Sequence, residues 1–436
     1  MRPQSHSALP ESRPLGRSDY KTLSLSALGG ALEFYDFVIF VFFAAVVSKL
    51  FFPAEMPEWL RQIQTFGIFA AGYLARPLGG VIMAHFGDLL GRKKMFTLSI
   101  FMMALPTLGM GLMPTYAQIG IAAPLLLLLL RIIQGAAIGG EVPGAWVFVA
   151  EHVPNRHVGY ACGTLTAGLT FGILLGSLMA TLINTVFTPV EVHDYAWRFP
   201  FLIGGVFGLF SVYLRRWLHE TPVFAELQLR KSLASEVPLK AVLRDHRGAV
   251  VVSMLLTWML TAGIVVVILM TPTLLQTQYG FSAAVALRAN SLAIVFLTVG
   301  CIISGSLSDR FGSGRIFLIG GALLGIISWT MYASLKTHPE WLFPLYALAG
   351  LSVGVIGSVP RVMVLAFPAE VRFSGLSFSY NLAYALFGGL TPMIVTLMLK
   401  QHPLGPAYYV VGLAILGMLV GAWLLSQERR VVPVAA

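Results

Sequence analysis

Roughly twelve stretches of about 20 apolar residues, each the length at which one helix crosses a bilayer, constrain this chain more than anything else in it. They lie near 24–50, 62–86, 93–113, 118–150, 158–183, 197–215, 249–274, 288–307, 315–336, 341–367, 374–399 and 407–426. Hydrocarbon offers no partner to a free amide, so each stretch must close its own backbone hydrogen bonds as a helix. Only 11% of the 436 residues are charged, against about 25% in soluble domains. Together with a mean hydropathy of +0.80, this argues against a water-soluble enzyme, a nucleic-acid reader or a disordered scaffold. The expected fold class is an all-α polytopic membrane protein, twelve transmembrane helices in two six-helix bundles. The net charge of +10 fits basic loops on one side of a membrane rather than a nucleic-acid partner. Cys162 and Cys301 fall inside apolar stretches and form neither a disulfide framework nor a metal-ligand spacing.

Orientation follows from counting. With the N-terminus inside, inner segments hold twenty Lys/Arg and outer segments six, with Arg76, Arg131 and Arg361 inside spans; these sum to the 29 in the chain. That imbalance puts both termini in the cytoplasm. The expected organisation is a disordered cytoplasmic tail at 1–23, bundles at 24–215 and 249–427, a cytoplasmic linker at 216–248, and a second tail at 428–436. An internal repeat supports the division. Asp88-x-x-Gly91 after span two recurs as Asp309-x-x-Gly312 after span eight, and Glu151 after span four matches Glu370 after span ten. Six spans per half make the repeat parallel, and such repeats place a binding site at midplane between halves that rock in turn.

Ionisable groups inside spans cost roughly 2.5–3.5 kcal/mol each on insertion scales. Six occur here: Glu33, Asp36, Arg76, Arg131, Glu141 and Arg361. At 1.5 Å per residue, four of them fall roughly 13–15 Å deep from the inner side, with Asp36 about a turn deeper and Arg131 a similar distance in from outside. Internal ion pairs that merely fasten helices explain any one of them, but a cluster of this size exceeds what packing requires. With three acids and three bases, protonation of one acid leaves a net +1, which couples proton binding to an anion by charge balance. Glu33, Asp36 and Glu141 are therefore proton-coupling candidates. Arg361 has no acid within its own half's spans and is expected to face the other half, a wet cavity or the substrate. Tyr35, Gln134, Trp258, Tyr380 and Asn381 are further lining candidates, for each of which a buried core role competes.

The Asp88–Lys94 turn, with Arg92, is read as a cytoplasmic latch, alongside Glu151, Asp309, Arg310, Glu370 and Arg372. Glycines at four-residue spacing, such as Gly135 and Gly139 or Gly168, Gly172 and Gly176, permit close helix approach. Pro272 and Pro392 should kink spans seven and eleven. No phosphate-binding loop, nucleophile elbow, HExxH or Cys/His metal spacing occurs, so no enzyme, cofactor or metal is expected.

Asp88-x-x-Gly-Arg and its repeat resemble the signature loop of the major facilitator superfamily, and Arg131-x-x-Gln134-Gly135 resembles its second motif. Gly30-Ala-Leu-Glu33-Phe-Tyr-Asp36-Phe, Arg76-Pro-Leu-Gly-Gly80, Arg131-Ile-Ile-Gln-Gly-x-x-x-Gly-Gly-Glu141, Trp197-Arg-Phe-Pro-Phe201 and Leu214-Arg-Arg-x-x-x-Glu220-Thr-Pro resemble its metabolite:proton symporter family. That family includes citrate, α-ketoglutarate, shikimate and proline/betaine symporters. The resemblance implies carboxylate-binding roles for Arg76 and Arg198 and protonatable acids at Glu33 and Asp36. Leu89 and Ala84 depart from the loop pattern, which implies a weaker latch in the first half. Phe387-Gly-Gly-Leu-Thr-Pro392 looks most like the citrate and tricarballylate carriers. The expected function is proton-coupled import of a small organic acid by a monomer, its partners being an anionic or zwitterionic substrate, protons and lipid. A zwitterion symporter is the nearest rival. A drug antiporter, a membrane-embedded enzyme and a non-transporting receptor follow.

Overall fold

The computed structural model describes residues 13–80, 92–139, 141–215, 238–368 and 371–431. Among them every regular element is helical, and nine helices are long and apolar enough to cross a membrane. Three more complete the twelve-helix fold expected from the sequence. In chain order the spans are α1 (Arg17–Phe42), α2 (Glu58–Leu74, helical again at 76–80), α3 (Arg92–Leu112), α4 (Ala122–His152), α5 (Val158–Val186) and α6 (Arg198–Arg215). The second half holds α7 (Arg247–Thr277), α8 (Ala283–Phe311), α9 (Ser313–Ser334), α10 (Pro339–Ala366), α11 (Arg372–Gln401) and α12 (Gly405–Val431). Successive spans run in opposite directions. One face, the terminal face, therefore carries the start of α1 and the end of α12, and the other is the far face.

Several boundaries differ from expectation. Helix α1 starts at Arg17, within the segment expected to be an unstructured tail. Arg13 makes two hydrogen bonds to the Asp19 carboxylate, at 2.6 and 2.8 Å, and a third to the His152 carbonyl at 3.1 Å. These bonds fix the polar first turns against the end of α4, a stabilisation that hydropathy does not register. The expected linker ends in a short helix, Pro238–Asp245, with Val242 fully buried, and α12 continues through Val431.

Four spans are irregular, two of them through proline. Helix α4 breaks around Gly139. In α7 the turns widen from Ala262 to Met270, and in α11 from Tyr384 to Gly388. Pro272 and Pro392 follow these segments, and a proline neither donates to nor tolerates the carbonyl four residues back. Those carbonyls, of Ile268 and Gly388, lie inside the widened turns, so the kinks expected from the sequence take this form. Helix α10 tightens at Gly354–Ser358.

Small residues set the closest seams. A Cβ on Gly135 would overlap the Gly72 carbonyl, and one on Gly172 would overlap that of Ala31, so α2–α4 and α1–α5 meet backbone to backbone. Between the halves, Gly159 and Gly163 of α5 abut Gly305 and Cys301 of α8 in the same manner. Farther along that seam Thr170 meets Thr298 and Ser177 meets Ser291, each pair 2.9 Å apart. At the far face the Lys400 ammonium sits 3.8 Å over the Trp59 ring, joining α11 to α2.

Candidate functional site

Phe37 of α1 organises the centre. Two buried guanidinium groups lie against its ring, Arg76 at 4.9 Å and Arg131 at 4.2 Å. Tyr73, one turn before Arg76 on the same helical face, lies 4.5 Å from that guanidinium, and Tyr384 of α11 lies 4.9 Å away. Arg131 also lies against Phe40 and Phe69, at 4.8 and 5.1 Å. Aromatic faces attract a cation through the ring quadrupole, but they accept no in-plane N–H bond. Among the described residues, Nε and Nη1 of Arg76, and Nε and Nη2 of Arg131, have no hydrogen-bond partner. Buried guanidinium N–H groups aimed at nothing are poised for a carboxylate, whose two oxygens match the guanidinium fork.

The aromatic wall continues across the halves. Tyr73 meets Tyr384 at 5.0 Å, Tyr384 meets Tyr380 at 4.9 Å, and Tyr380 stands edge-on to Trp146 of α4 at 5.0 Å. Tyr380 is close enough to Arg76 to interact with it electrostatically. Tyr73, Tyr384, Phe37 and Trp146 were not expected from the sequence, where they read as ordinary apolar core. The available signal was spacing: Tyr73 and Arg76, and Tyr380 and Tyr384, share helix faces.

Asp36 occupies a separate pocket. Both carboxyl oxygens are buried and, among the described residues, without a hydrogen-bond partner, and no ion pair joins Asp36 to either arginine. The pocket exists because α6 presents glycines there. A Cβ on Gly204 would stand 2.7 Å from Oδ1, and one on Gly208 would stand 2.8 Å from Oδ2. Glu33 is also buried, one turn before on α1. The side chains of Glu141 and Arg92, and all of Asp88 and Glu370, lie outside the described residues.

Other expected lining residues hold the framework. Gln134 accepts from Arg131 and donates to the Asp36 carbonyl at 3.1 Å and to Thr107 at 2.9 Å, so it ties α4 to α1 and α3. The Tyr35 hydroxyl donates to the Pro200 carbonyl of α6 at 2.9 Å. Asn381 donates to the Gly139 carbonyl at the α4 break, a bond between the halves, while its own side-chain oxygen has no partner. Trp258 stacks on Phe387 at 4.2 Å and donates to Tyr409 at 3.0 Å.

Arg198 and Arg361 make contacts that the sequence does not foreshadow. Arg198 is the first residue of α6, at the far face. Its Nη1 donates to the carbonyls of Gly111 and Met113, at 3.0 and 2.7 Å, closing the open end of α3. Arg361 does have an acid in its own half. Because α8 continues to Phe311, Asp309 lies inside that helix, and Arg361 Nε donates to it at 3.1 Å while Nη1 donates to Ser313 at 2.8 Å. Arg361 is five residues from the end of its helical segment at Ala366, roughly 7–8 Å along the axis and shallower than expected.

Asp309 is the hub of the terminal face. Its two oxygens also accept the backbone N–H groups of Gly159 and Tyr160, at 2.7 and 2.8 Å, at the start of α5. A carboxylate at a helix N-terminus satisfies orphan amides and meets the positive end of the helix dipole. A second link between the halves is the Glu151–Arg372 ion pair at 2.9 Å. Arg372 also donates to the carbonyls of Val364 and Phe367. Arg310 lies 5.2 Å from the Phe311 ring. With cross-half links at both faces, the central arginines are enclosed; each is 1% exposed or less.

Comparison with known proteins agrees with this architecture. Residues 28–392 match the sequence profile of the Major Facilitator Superfamily. The chain is similar to a citrate-proton symporter of Klebsiella pneumoniae, 32% identical over 407 residues covering 92% of this chain and 90% of that one. It is similar to a putative proline/betaine transporter of Staphylococcus aureus (strain COL), 30% identical over 411 residues, 92% of this chain and 87% of the relative. The proline/betaine transporter of Escherichia coli (strain K12) is 29% identical over 429 residues, 94% and 84% of the two chains. Among solved structures, the partially occluded inward-open form of the xylose transporter XylE from E. coli superposes with a TM-score of 0.74 at 18% identity, covering 94% of this chain and 98% of that one. The profile match, the relatives and the twelve-helix architecture together make this chain a member of the Major Facilitator Superfamily, within the metabolite:proton symporters that its motifs resemble.

Proposed function

We propose that this protein imports a small organic acid, of the di- or tricarboxylate type, together with protons, by alternating access between its two six-helix halves. The observation that carries the reading is the pair Arg76 and Arg131 flanking Phe37, buried, with four guanidinium nitrogens lacking partners. Among the described residues no acid is bonded to either, and two enclosed cations are costly until an anion balances them. The substrate carboxylates would occupy the unfilled N–H directions of both arginines, and the tyrosines would close round the remaining carbon skeleton. Asp36 would carry the proton: its glycine-walled pocket holds no donor for an ionised carboxylate, so the closed state accepts the neutral acid. Arg361 belongs with Asp309 to the gate, and Arg198 to the framework. With its basic loops the terminal face would lie in the cytoplasm of a bacterial inner membrane, and the working unit would be a monomer.

The aromatic wall favours a second reading. Tyr73, Tyr380, Tyr384 and Trp146 offer ring faces to a quaternary ammonium beside the arginines, as a zwitterionic osmolyte would require. Counterflow in proteoliposomes separates the two, with organic acids and zwitterions as competitors and with or without an inward proton gradient. Gradient-stimulated exchange of dicarboxylates that is lost in Arg76→Ala supports the first reading. Exchange confined to betaine or proline establishes the second, and exchange of neither class refutes both.

A further inference from the structure

Where α5 begins and α8 ends, the terminal face carries a cleft of about 320 Å³ lined by Arg156, His157, Tyr160, Ser306, Asp309 and Arg310. It lies apart from the central arginine pair, and among the described residues its lining holds two arginines and one acid. Asp309, its acid, is already bonded to the amides of Gly159 and Tyr160 and to Arg361. Arg156 belongs to the first half and Arg310 to the second. Arg156 donates through Nε to the His157 ring at 3.1 Å, and Arg310 rests on the Phe311 ring. Among the described residues neither arginine joins an ion pair. Two arginines thus line one opening from opposite halves of the molecule, together with Tyr160. The fork of an arginine matches two oxygens of a tetrahedral oxyanion, and two forks can share one such group.

We propose that this cleft binds a phosphate group that bridges Arg156 and Arg310, and so links the two halves at the terminal face. The same chemistry has two sources: the headgroup of an anionic phospholipid, or soluble phosphate and its esters. Only the lipid source depends on the terminal face lying at a leaflet surface.

The test uses the purified full-length protein. In detergent, inorganic phosphate titrated at constant ionic strength against chloride should raise the thermal unfolding midpoint saturably. Arg156→Gln and Arg310→Gln should each weaken the half-saturating concentration about tenfold, the effect of losing one charge-assisted contact. Arg156→Lys, which keeps the charge and loses the fork, should fall between. Arg247→Gln, at the start of α7 and outside the cleft, should titrate like the parent. In nanodiscs without phosphate, replacing phosphatidylcholine by phosphatidylglycerol should reproduce the stabilisation, and its loss in Arg156→Gln, if the source is lipid. Failure of that exchange alongside a normal detergent titration assigns the site to soluble phosphate. A shift that does not saturate, or that is equal in the parent, Arg156→Gln and Arg310→Gln, overturns the proposal.

Discussion

Replacing Asp36 by asparagine should uncouple transport from the proton gradient while leaving the site intact. The carboxyl group is enclosed by Gly204 and Gly208, with no donor on either oxygen, and the amide is nearly the same size. Enclosing an ionised carboxylate without water or donors costs several kcal/mol even after relaxation. A gradient of two pH units supplies only about 2.7 kcal/mol per proton. The closed state therefore requires the neutral acid, and ionisation waits until α1 and α6 part enough to admit water. The assay is uptake of a labelled dicarboxylate into proteoliposomes with the interior two pH units more alkaline. One net coupled proton sustains accumulation of up to roughly 100-fold in the parent. In Asp36→Asn the internal and external concentrations should equalise, while counterflow at equal pH stays within about threefold of the parent, since the neutral acid and the amide are equally short of partners. Gradient-driven accumulation that survives in Asp36→Asn would refute the assignment.

Three further outcomes follow from the packing. Asp309→Asn weakens three contacts and should destabilise closure of the terminal face by about 2–4 kcal/mol, and Arg361→Gln by about 1–2 kcal/mol; both are read as faster thiol labelling of a cysteine placed at Ser377, the native Cys162 and Cys301 being buried. Glu151 and Arg372, with side chains 20% and 21% exposed, should show a double-mutant coupling of only about 0.5–1 kcal/mol, and a coupling above roughly 2 kcal/mol would mean the pair is more shielded than its exposure indicates. Gly135→Ala should lower stability by about 1–3 kcal/mol because its methyl meets the Gly72 carbonyl; Gly67→Ala on α2, with open space at its Cβ position, should leave the unfolding midpoint unchanged.

The twelve-helix fold was legible because hydrocarbon permits so few alternatives: scarcity of charge located the spans, and turn chemistry marked the kinks at Pro272 and Pro392. Helix ends were less legible. Hydropathy falls where Arg17, Asp19 and Lys21 begin α1, although Arg13 and Asp19 bind that turn in place. The same blindness at the end of α8 hid Asp309 inside a helix and left Arg361 without its partner on paper. The contacts of Arg198 were hidden for a related reason, since its acceptors are carbonyls at the end of another helix, which carry no signature in sequence. The arginine pair was legible from cost alone, whereas its aromatic surroundings were not. A tyrosine in an apolar span looks the same whether it packs against leucine or against a guanidinium.

The glycine-lined seam between α5 and α8 has a mechanical consequence. Side chains on most helix pairs form ridges that interlock, so sliding or tilting one past the other means lifting out of a groove. At Gly159, Gly163 and Gly305 there are no ridges to lift, and toward the far face the contact passes to the paired hydroxyls of Thr170 with Thr298 and Ser177 with Ser291, which can exchange partners along a row of neighbours. A smooth stretch at one end and exchangeable bonds at the other make a bearing. The halves can pivot about this line while their own cores stay packed, so the work of opening falls on the few contacts at the rims.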